Sequence, residues 1–300
     1  MFDLKLGFKC NNNCVHCVVA NKREAGELKI GEICGIINRI PQGETVQITG
    51  GEPSIFKDLP SVLQKCKEKG LRTVIQSNGT GFSNQDFLNA CKDNIDQVHL
   101  AIHSCYPEIH DKIVGSKGMW EKTIQGLDNL LKTDIYLTTQ TVLSKLNIKS
   151  LYDTFCFIQD KKSGIKMSMT YPHVAGNAYK NREEIIFRYS DYKEEIQKTL
   201  SRFKDLIYTE AIPPCYLYPN FPSCSDISSR MDPNNIRMGI DFSMSKEIND
   251  YNISDLENKR KAPKCKECDF NKKCIGVWKE YIEQFRKCLD LYPVKIDTTE

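Results

Sequence analysis

The 300-residue chain has no uninterrupted apolar run near the roughly 20 residues that a membrane-spanning helix needs, which excludes a helical membrane span. It also lacks a surplus of charge of either sign. Its 42 Lys and Arg against 39 Asp and Glu leave +3, so composition makes no electrostatic case for nucleic acid or a membrane surface as partner. Residues 1–9 show neither the apolar core nor the small-residue cleavage site of a secretory signal, and a cytoplasmic location is expected. One residue type is abundant instead. Fourteen cysteines in a reducing compartment point to metal ligands or reactive groups rather than disulfides, and they cluster toward both ends.

The length suits one large domain, or one domain with a small appendage. Residues 3–8, 45–49, 72–76, 97–103, 135–143 and 165–171 are rich in β-branched and apolar side chains and read as strands. Between them, 29–40, 59–69, 84–93, 119–132 and 150–160 read as helices with Lys and Glu on their polar faces. Repeated βα units with short connections predict an α/β fold whose parallel sheet curls into a partial (β/α)6 TIM-like barrel. Six units rather than eight leave that barrel open, with chemistry expected at the C-terminal strand ends. After Ala175 the pattern changes. A helix over 191–203 leads into a Pro-, Asn- and Ser-rich stretch over 213–250, which reads as a small loop-rich domain that a metal centre would help to order.

Directly after the first strand stands Cys10-Asn-Asn-Asn-Cys14-Val-His-Cys17. Such a C-x3-C-x2-C run would arise by chance in only about 3% of chains of this length and cysteine content. Three thiolates on one loop can hold three irons of a [4Fe–4S] cluster and leave the fourth open; the alternative is a zinc site completed by His16 or a distant cysteine. A second group is Cys265-Lys-Glu-Cys268 with Cys274, and Cys215, Cys224 and Cys288 are candidates for its fourth ligand. Cys215 is favoured, because Pro213-Pro214 stiffens its approach. Spacing alone does not choose between zinc and a fully ligated iron–sulfur cluster.

The second strand ends in Thr49-Gly50-Gly51-Glu52-Pro53. The glycines allow a sharp turn and close approach to a ligand, and Glu52 offers a carboxylate to an ammonium group, although a plain βα turn explains the glycines equally well. The third ends in Gln76-Ser77-Asn78-Gly79-Thr80, bringing hydroxyl and amide groups to the same mouth.

Taken in order at three successive strand ends, these motifs resemble the radical S-adenosylmethionine (radical SAM) superfamily. The segment 97–104 with Glu108-Ile-His-Asp111, Gly115 and Thr123-Ile-Gln-Gly126 looks like that family's fourth βα unit, so the resemblance covers about 4–176. The C-terminal part resembles the SPASM or twitch extensions, which hold auxiliary iron–sulfur clusters. A full SPASM pattern has a further cysteine where this chain has Trp278, so one auxiliary [4Fe–4S] cluster is expected, on Cys215, Cys265, Cys268 and Cys274. The implied domains are a radical SAM barrel over 1–205 and a small iron–sulfur domain over 206–300.

The resemblance implies that Cys10, Cys14 and Cys17 ligate the catalytic cluster and that SAM chelates its open iron. Gly50, Gly51 and Glu52 would hold the SAM amino group, with Ser77 and Asn78 at its methionine or ribose portion; Thr139 or Gln140, and the backbone near His173 and Val174, would be further contacts. Reductive cleavage would yield methionine and a 5′-deoxyadenosyl radical that abstracts hydrogen from the substrate. The implied reductant is a flavodoxin or ferredoxin. The implied function is maturation of a ribosomally made peptide by crosslinking, epimerisation or oxidation, with dehydrogenation or rearrangement of a small metabolite as the alternative. The first strand begins almost at once, so leader binding would fall to a separate protein or to the surface of this one. From another class, a non-catalytic iron–sulfur redox or sensor protein would also use two cysteine groups.

Other residues carry alternatives. His103, where the family has a more acidic fourth strand, is either a mouth residue that touches substrate or a buried histidine with a satisfied hydrogen bond. Cys224 is a ligand, a hydrogen-atom donor or inert. Cys34, Cys66 and Cys91 fall in helical patterns and read as core. Tyr171, Tyr216, Tyr218, Phe221, Trp278 and Tyr281 either line the junction between barrel and extension or fill the small domain's core.

Overall fold

The computed structural model describes residues 1–221, 224–225, 238–240, 248–250, 257–286 and 290–296, with side chains for all but the three short middle segments. Seven parallel strands follow one another in sequence order: β1 (Phe2–Lys5), β2 (Thr45–Thr49), β3 (Arg72–Ser77), β4 (Gln97–Ala101), β5 (Tyr136–Val142), β6 (Lys166–Thr170) and β7 (Ile207–Glu210). Beyond β7 lies β8 (Cys224–Ser225), and beyond β1 lie β9 (Met238–Ile240) and the antiparallel β10 (Ile248–Asp250). The order is linear, and no pairing among the described residues closes it into a full barrel. The sheet therefore runs past residue 205: β7 and three short strands from the expected second domain join the same sheet. Four residues such as Ile207–Glu210 are too few for their periodicity to announce a strand before the partner is known.

Helices α1 (Ile30–Arg39), α2 (Leu59–Glu68), α3 (Gln85–Cys91), α4 (Pro107–Val114), α5 (Met119–Leu130), α6 (Leu151–Lys161) and α9 (Lys193–Phe203) fill the crossovers, with the one-turn helices α7 (Asn177–Lys180) and α8 (Arg182–Ile185) after β6. In α1, Ile33, Ile36 and Ile37 recur at helical spacing and are buried, while the Lys29 N–H donates to the Glu32 carboxylate at 3.1 Å to close the first turn. Asp111, from the Glu108-Ile-His-Asp111 motif, caps α5 by accepting from the Gly118 and Trp120 N–H groups.

Register puts Leu4, Ile48, Ile75, Val98 and Leu137 in one row across β1 to β5. These side chains are buried, as a parallel sheet covered by helices requires. The remaining short elements are α10 (Pro214–Leu217), the β11 (Lys259–Arg260) and β12 (Val277–Trp278) hairpin, and α11 (Lys279–Phe285). No helix among the described residues is long and apolar enough to cross a membrane.

Candidate active site at the strand ends and a second cysteine cavity

The loop after β1 carries Cys10, Cys14 and Cys17, and distant parts of the chain hold its backbone. Asn13 and Val15 donate their N–H groups to the Val114 and Ile113 carbonyls at the end of α4, each at 2.8 Å. From the segment after β6, the Asn177 N–H donates to the Cys17 carbonyl at 2.8 Å. The Asn177 and Asn181 carboxamides donate to the carbonyls of Cys14 and Val15, each at 3.0 Å. All three thiols are unpaired and half-buried. Burial pushes the Cys10 thiol up to about 11 and the Cys14 thiol up to about 12, against the pull of the Arg23 guanidinium.

Among the described residues, no group of three or more His, Cys, Asp or Glu side chains is placed to hold a metal ion. A single ion draws its ligands to one point, whereas a four-iron cluster spreads its thiolates over separate corners. The donor set fits the latter: three free thiols on one loop beside a guanidinium, where iron would favour the thiolate form that burial alone disfavours.

At the end of β2, Gly50 and Gly51 press against residues 7–9, which lead from β1 into this loop. The Gly51 N–H donates to the Gly7 carbonyl at 2.9 Å and the Glu52 N–H to the Lys9 carbonyl at 2.8 Å. A Cβ on Gly51 would lie 1.9 Å from the Lys9 carbonyl oxygen, and one on Gly50, at φ 126°, 2.2 Å from that of Gly7. The lack of a side chain at both positions lets the end of β2 approach the backbone of Gly7 and Lys9 closely. Glu52 is buried, and its carboxylate accepts from the Ser77 hydroxyl at 2.6 Å and from the Asn78 and Ser54 N–H groups at 2.7 and 3.0 Å. Burial holds this carboxyl above the usual carboxylate range, and those donors oppose the shift. Glu52 therefore braces two strand ends against each other.

The third strand end is tied to the cysteine loop. The Asn78 carboxamide donates to Asn11 Oδ1 at 2.8 Å, and the Asn11 carboxamide donates to Thr80 Oγ1 at 2.7 Å. From α5, Thr123 Oγ1 donates to the Asn78 carbonyl at 2.9 Å, and Gly126 allows contact: a Cβ there would stand 2.2 Å from the Gly79 carbonyl oxygen. The fourth unit's motif residues support the third strand end.

The concave face of the sheet is polar. Thr49, Gln76, Gln140, Thr170 and Glu210, from five of the six strands β2 to β7, form a hydrogen-bonded chain, its shortest link the 2.9 Å bond from Gln76 Nε2 to Gln140 Oε1. Closed βα barrels fill these positions with branched apolar side chains, so this surface is suited to hydrogen-bond a ligand. Thr139, expected at the cofactor, is not part of it. It pairs with Leu100 and Met167 and is buried with them, whereas its neighbour Gln140 takes the half-open face. A strand presents alternate residues to opposite faces, so of the two candidates on this strand Gln140 is the one on the polar face.

His103 is the buried, bonded histidine of the two alternatives: its Nδ1 accepts from the Val142 N–H at 3.4 Å, and its own N–H donates to His110 Nδ1 at 3.3 Å. Its ring lies 4.7 Å from that of His16 and 5.7 Å from that of His110. Burial holds His16 and His110 down to about 4 and His103 well below the ordinary range, so the three are neutral imidazoles at pH 7.

Far along the chain, Cys215, Cys265, Cys268 and Cys274 line one cavity with Pro214 and Tyr292. Burial pushes the Cys215 thiol up to about 12, and the nearby Cys274 and Cys265 add to the shift. Backbone N–H groups already face two of the sulfurs: Gly276 donates to Cys274 Sγ at 3.2 Å and Val294 to Cys268 Sγ at 3.3 Å. The side chain of Cys224, and Cys288 altogether, lie outside the described residues. Trp278 stacks on His173 with ring centroids 4.3 Å apart.

Tyrosines make the seam between barrel and C-terminal segment. Tyr171, Tyr189, Tyr216 and Tyr281 are buried in mutual contact, and Asp290 accepts from the hydroxyls of Tyr281 at 2.6 Å and Tyr216 at 3.1 Å. Sequence reading named three of them but missed Tyr189, Asp290, Asn177 and Asn181, whose local patterns carry no signal.

Residues 4–158 match the family model described as Radical SAM superfamily. By sequence the chain is 31% identical over 150 residues to an AdoMet-dependent heme synthase of Methanosarcina barkeri, covering 49% of this chain and 43% of that one. It is 25% identical over 159 residues to a probable GTP 3′,8-cyclase of Sulfolobus acidocaldarius, covering 51% and 50%. These matches span about half the length of either relative. By fold, anSMEcpe solved with AdoMet and the Cp18Cys peptide superposes with TM-score 0.66 at 11% identity, over 95% of both chains. Streptococcus suis SuiB bound to its precursor peptide SuiA gives 0.63 at 14% identity, over 98% of this chain and 74% of that one.

Proposed function

The chain belongs to the radical SAM superfamily, and from that premise we propose that it is a peptide-modifying enzyme with two [4Fe–4S] clusters. Cys10, Cys14 and Cys17 hold the catalytic cluster, and Cys215, Cys265, Cys268 and Cys274 hold an auxiliary one. When bound, the catalytic cluster and S-adenosylmethionine supply the electron and the radical source for hydrogen abstraction from substrate, with a flavodoxin or ferredoxin as reductant.

The chain's own residues orient and enclose. Asn177 and Asn181 fix the cysteine loop. Glu52 locks the second strand end to the third, so that Gly51, Ser77 and Asn78 present a rigid frame to the methionine end of SAM. Gln76 and Gln140 face the substrate from the polar concave surface.

The observation that carries this reading is the gathering of Cys215 with the sequence-distant Cys265, Cys268 and Cys274 around one cavity. The near full-length likeness to two proteins solved with peptides supports a peptide substrate. Sequence similarity to the heme synthase and the GTP cyclase favours a second reading, a small-metabolite substrate.

The test is anaerobic reconstitution followed by dithionite and SAM, with 5′-deoxyadenosine, iron and sulfide measured together. Two clusters give about eight irons per chain. Cys10, Cys14 and Cys17 changed together to Ala should remove about half the iron and all cleavage, while Cys274→Ala should spare cleavage. Cleavage that survives the triple change overturns the assignment. Stimulation of 5′-deoxyadenosine release by a peptide, rather than by GTP or a porphyrin, decides between the substrates.

A further inference from the structure

Asn12 lies between Cys10 and Cys14 and is 2% exposed. Neither its Nδ2 nor its Oδ1 has a hydrogen-bond partner among the described residues. Its main chain, by contrast, is fully engaged: the N–H donates to Cys10 Sγ at 3.4 Å and the carbonyl accepts from Arg23 at 2.6 Å. A buried carboxamide without partners is costly, and a leucine would fill the same place without that cost. The bond to Cys10 Sγ sets this residue directly against a sulfur of the ligand set.

We propose that the Asn12 carboxamide donates a hydrogen bond to the sulfur atoms of the cluster held by Cys10, Cys14 and Cys17, and thereby raises that cluster's reduction potential. The inference rests on the ligand assignment above. Hydrogen bonds to cluster sulfurs stabilise the extra negative charge of the reduced state, which is one of the protein's levers on potential. Asn12 acts as a positioned dipole; it does not ligate iron or exchange a proton.

The test is Asn12→Leu in the full-length reconstituted protein, with the SAM-responsive cluster signal followed by EPR during a redox titration. The expected result is full iron and sulfide with a reduced-to-oxidised ratio about tenfold lower at fixed potential, which for a one-electron couple is about 59 mV. An unchanged midpoint at full iron content overturns the proposal. Should the leucine variant fail to take up iron, Asn12→Ala, which only truncates the amide, is titrated in its place. A second measurement needs no stability in the variant: pulsed EPR of wild-type protein labelled with side-chain 15N-asparagine should show a nitrogen coupling to the reduced cluster. Its absence also overturns the proposal. Wild-type protein that binds no iron at Cys10, Cys14 and Cys17 would sink the ligand assignment instead, so the two failures are separable.

Discussion

His110 makes the metal-free protein sensitive to mild acid. Its side chain is buried, and burial lowers its pKa from 6.5 to about 4, with Asp111 opposing. The folded value is the lower one, so as pH falls the unfolded chain takes up the proton first. The histidine's contribution to stability is complete above about pH 6.5 and is lost as pH falls toward and through about 4. At pH 5 this difference amounts to about 2 kcal/mol, and at pH 7 it is close to zero. His110→Leu removes the titrating group while keeping an apolar side chain in its place, and it relieves the repulsion that His110 exerts on protonated His16. The assay is urea unfolding of metal-free protein at pH 7 and pH 5, with wild type and variant compared at each. Wild type should lose about 2 kcal/mol more than the variant on going from pH 7 to pH 5. An equal loss in the two proteins would refute the claim that His110 is held neutral by burial.

Gly51→Ala forces a methyl group into the Lys9 carbonyl, 1.9 Å from the ideal Cβ, and should cost about 3 kcal/mol or more, read as a lower melting temperature and poor cluster uptake. Asn177→Ala removes the side-chain bond to the Cys14 carbonyl and should cost about 1 kcal/mol; its signature is faster iron loss to a chelator at unchanged secondary structure by circular dichroism. Tyr281→Phe deletes the 2.6 Å bond to Asp290 and the acceptor for the Tyr189 N–H. Thermal unfolding should report a loss of about 2 kcal/mol with SAM cleavage intact.

The strand ends and the first cysteine loop were legible because both are local. Alternating apolar runs, a fixed thiol spacing and paired glycines each declare themselves within a few residues. The second cysteine group was legible only as a composition, and the structure supplied the cavity that unites Cys215 with residues some fifty positions later. What sequence reading missed depends on partners. Glu52 looks like an open carboxylate until Ser77 and Asn78 are seen to occupy it. Thr139 and Gln140 are equivalent polar neighbours until register assigns one to the helix-covered face. Tyr189 is one tyrosine among 13 until Tyr171, Tyr216 and Tyr281 close around it. Likewise, β7 is four unremarkable residues until β6 offers it an edge.

The asparagine clasp on the cysteine loop also sets a schedule. Asn177 reaches Cys14 across 163 residues of chain, so a ribosome working at about 5 to 20 residues per second delivers the clasp roughly 8 to 30 seconds after the thiols it secures. Until then the loop can draw only on earlier partners, such as the Ile113 and Val114 carbonyls that accept from Val15 and Asn13. If these thiols hold a cluster as proposed, iron and sulfide delivered during synthesis would meet a loop without its asparagine clasp; delivered afterwards, they would meet the finished one. On the proposed ligand assignment, the segment behind the sixth strand completes the frame that a cluster would enter.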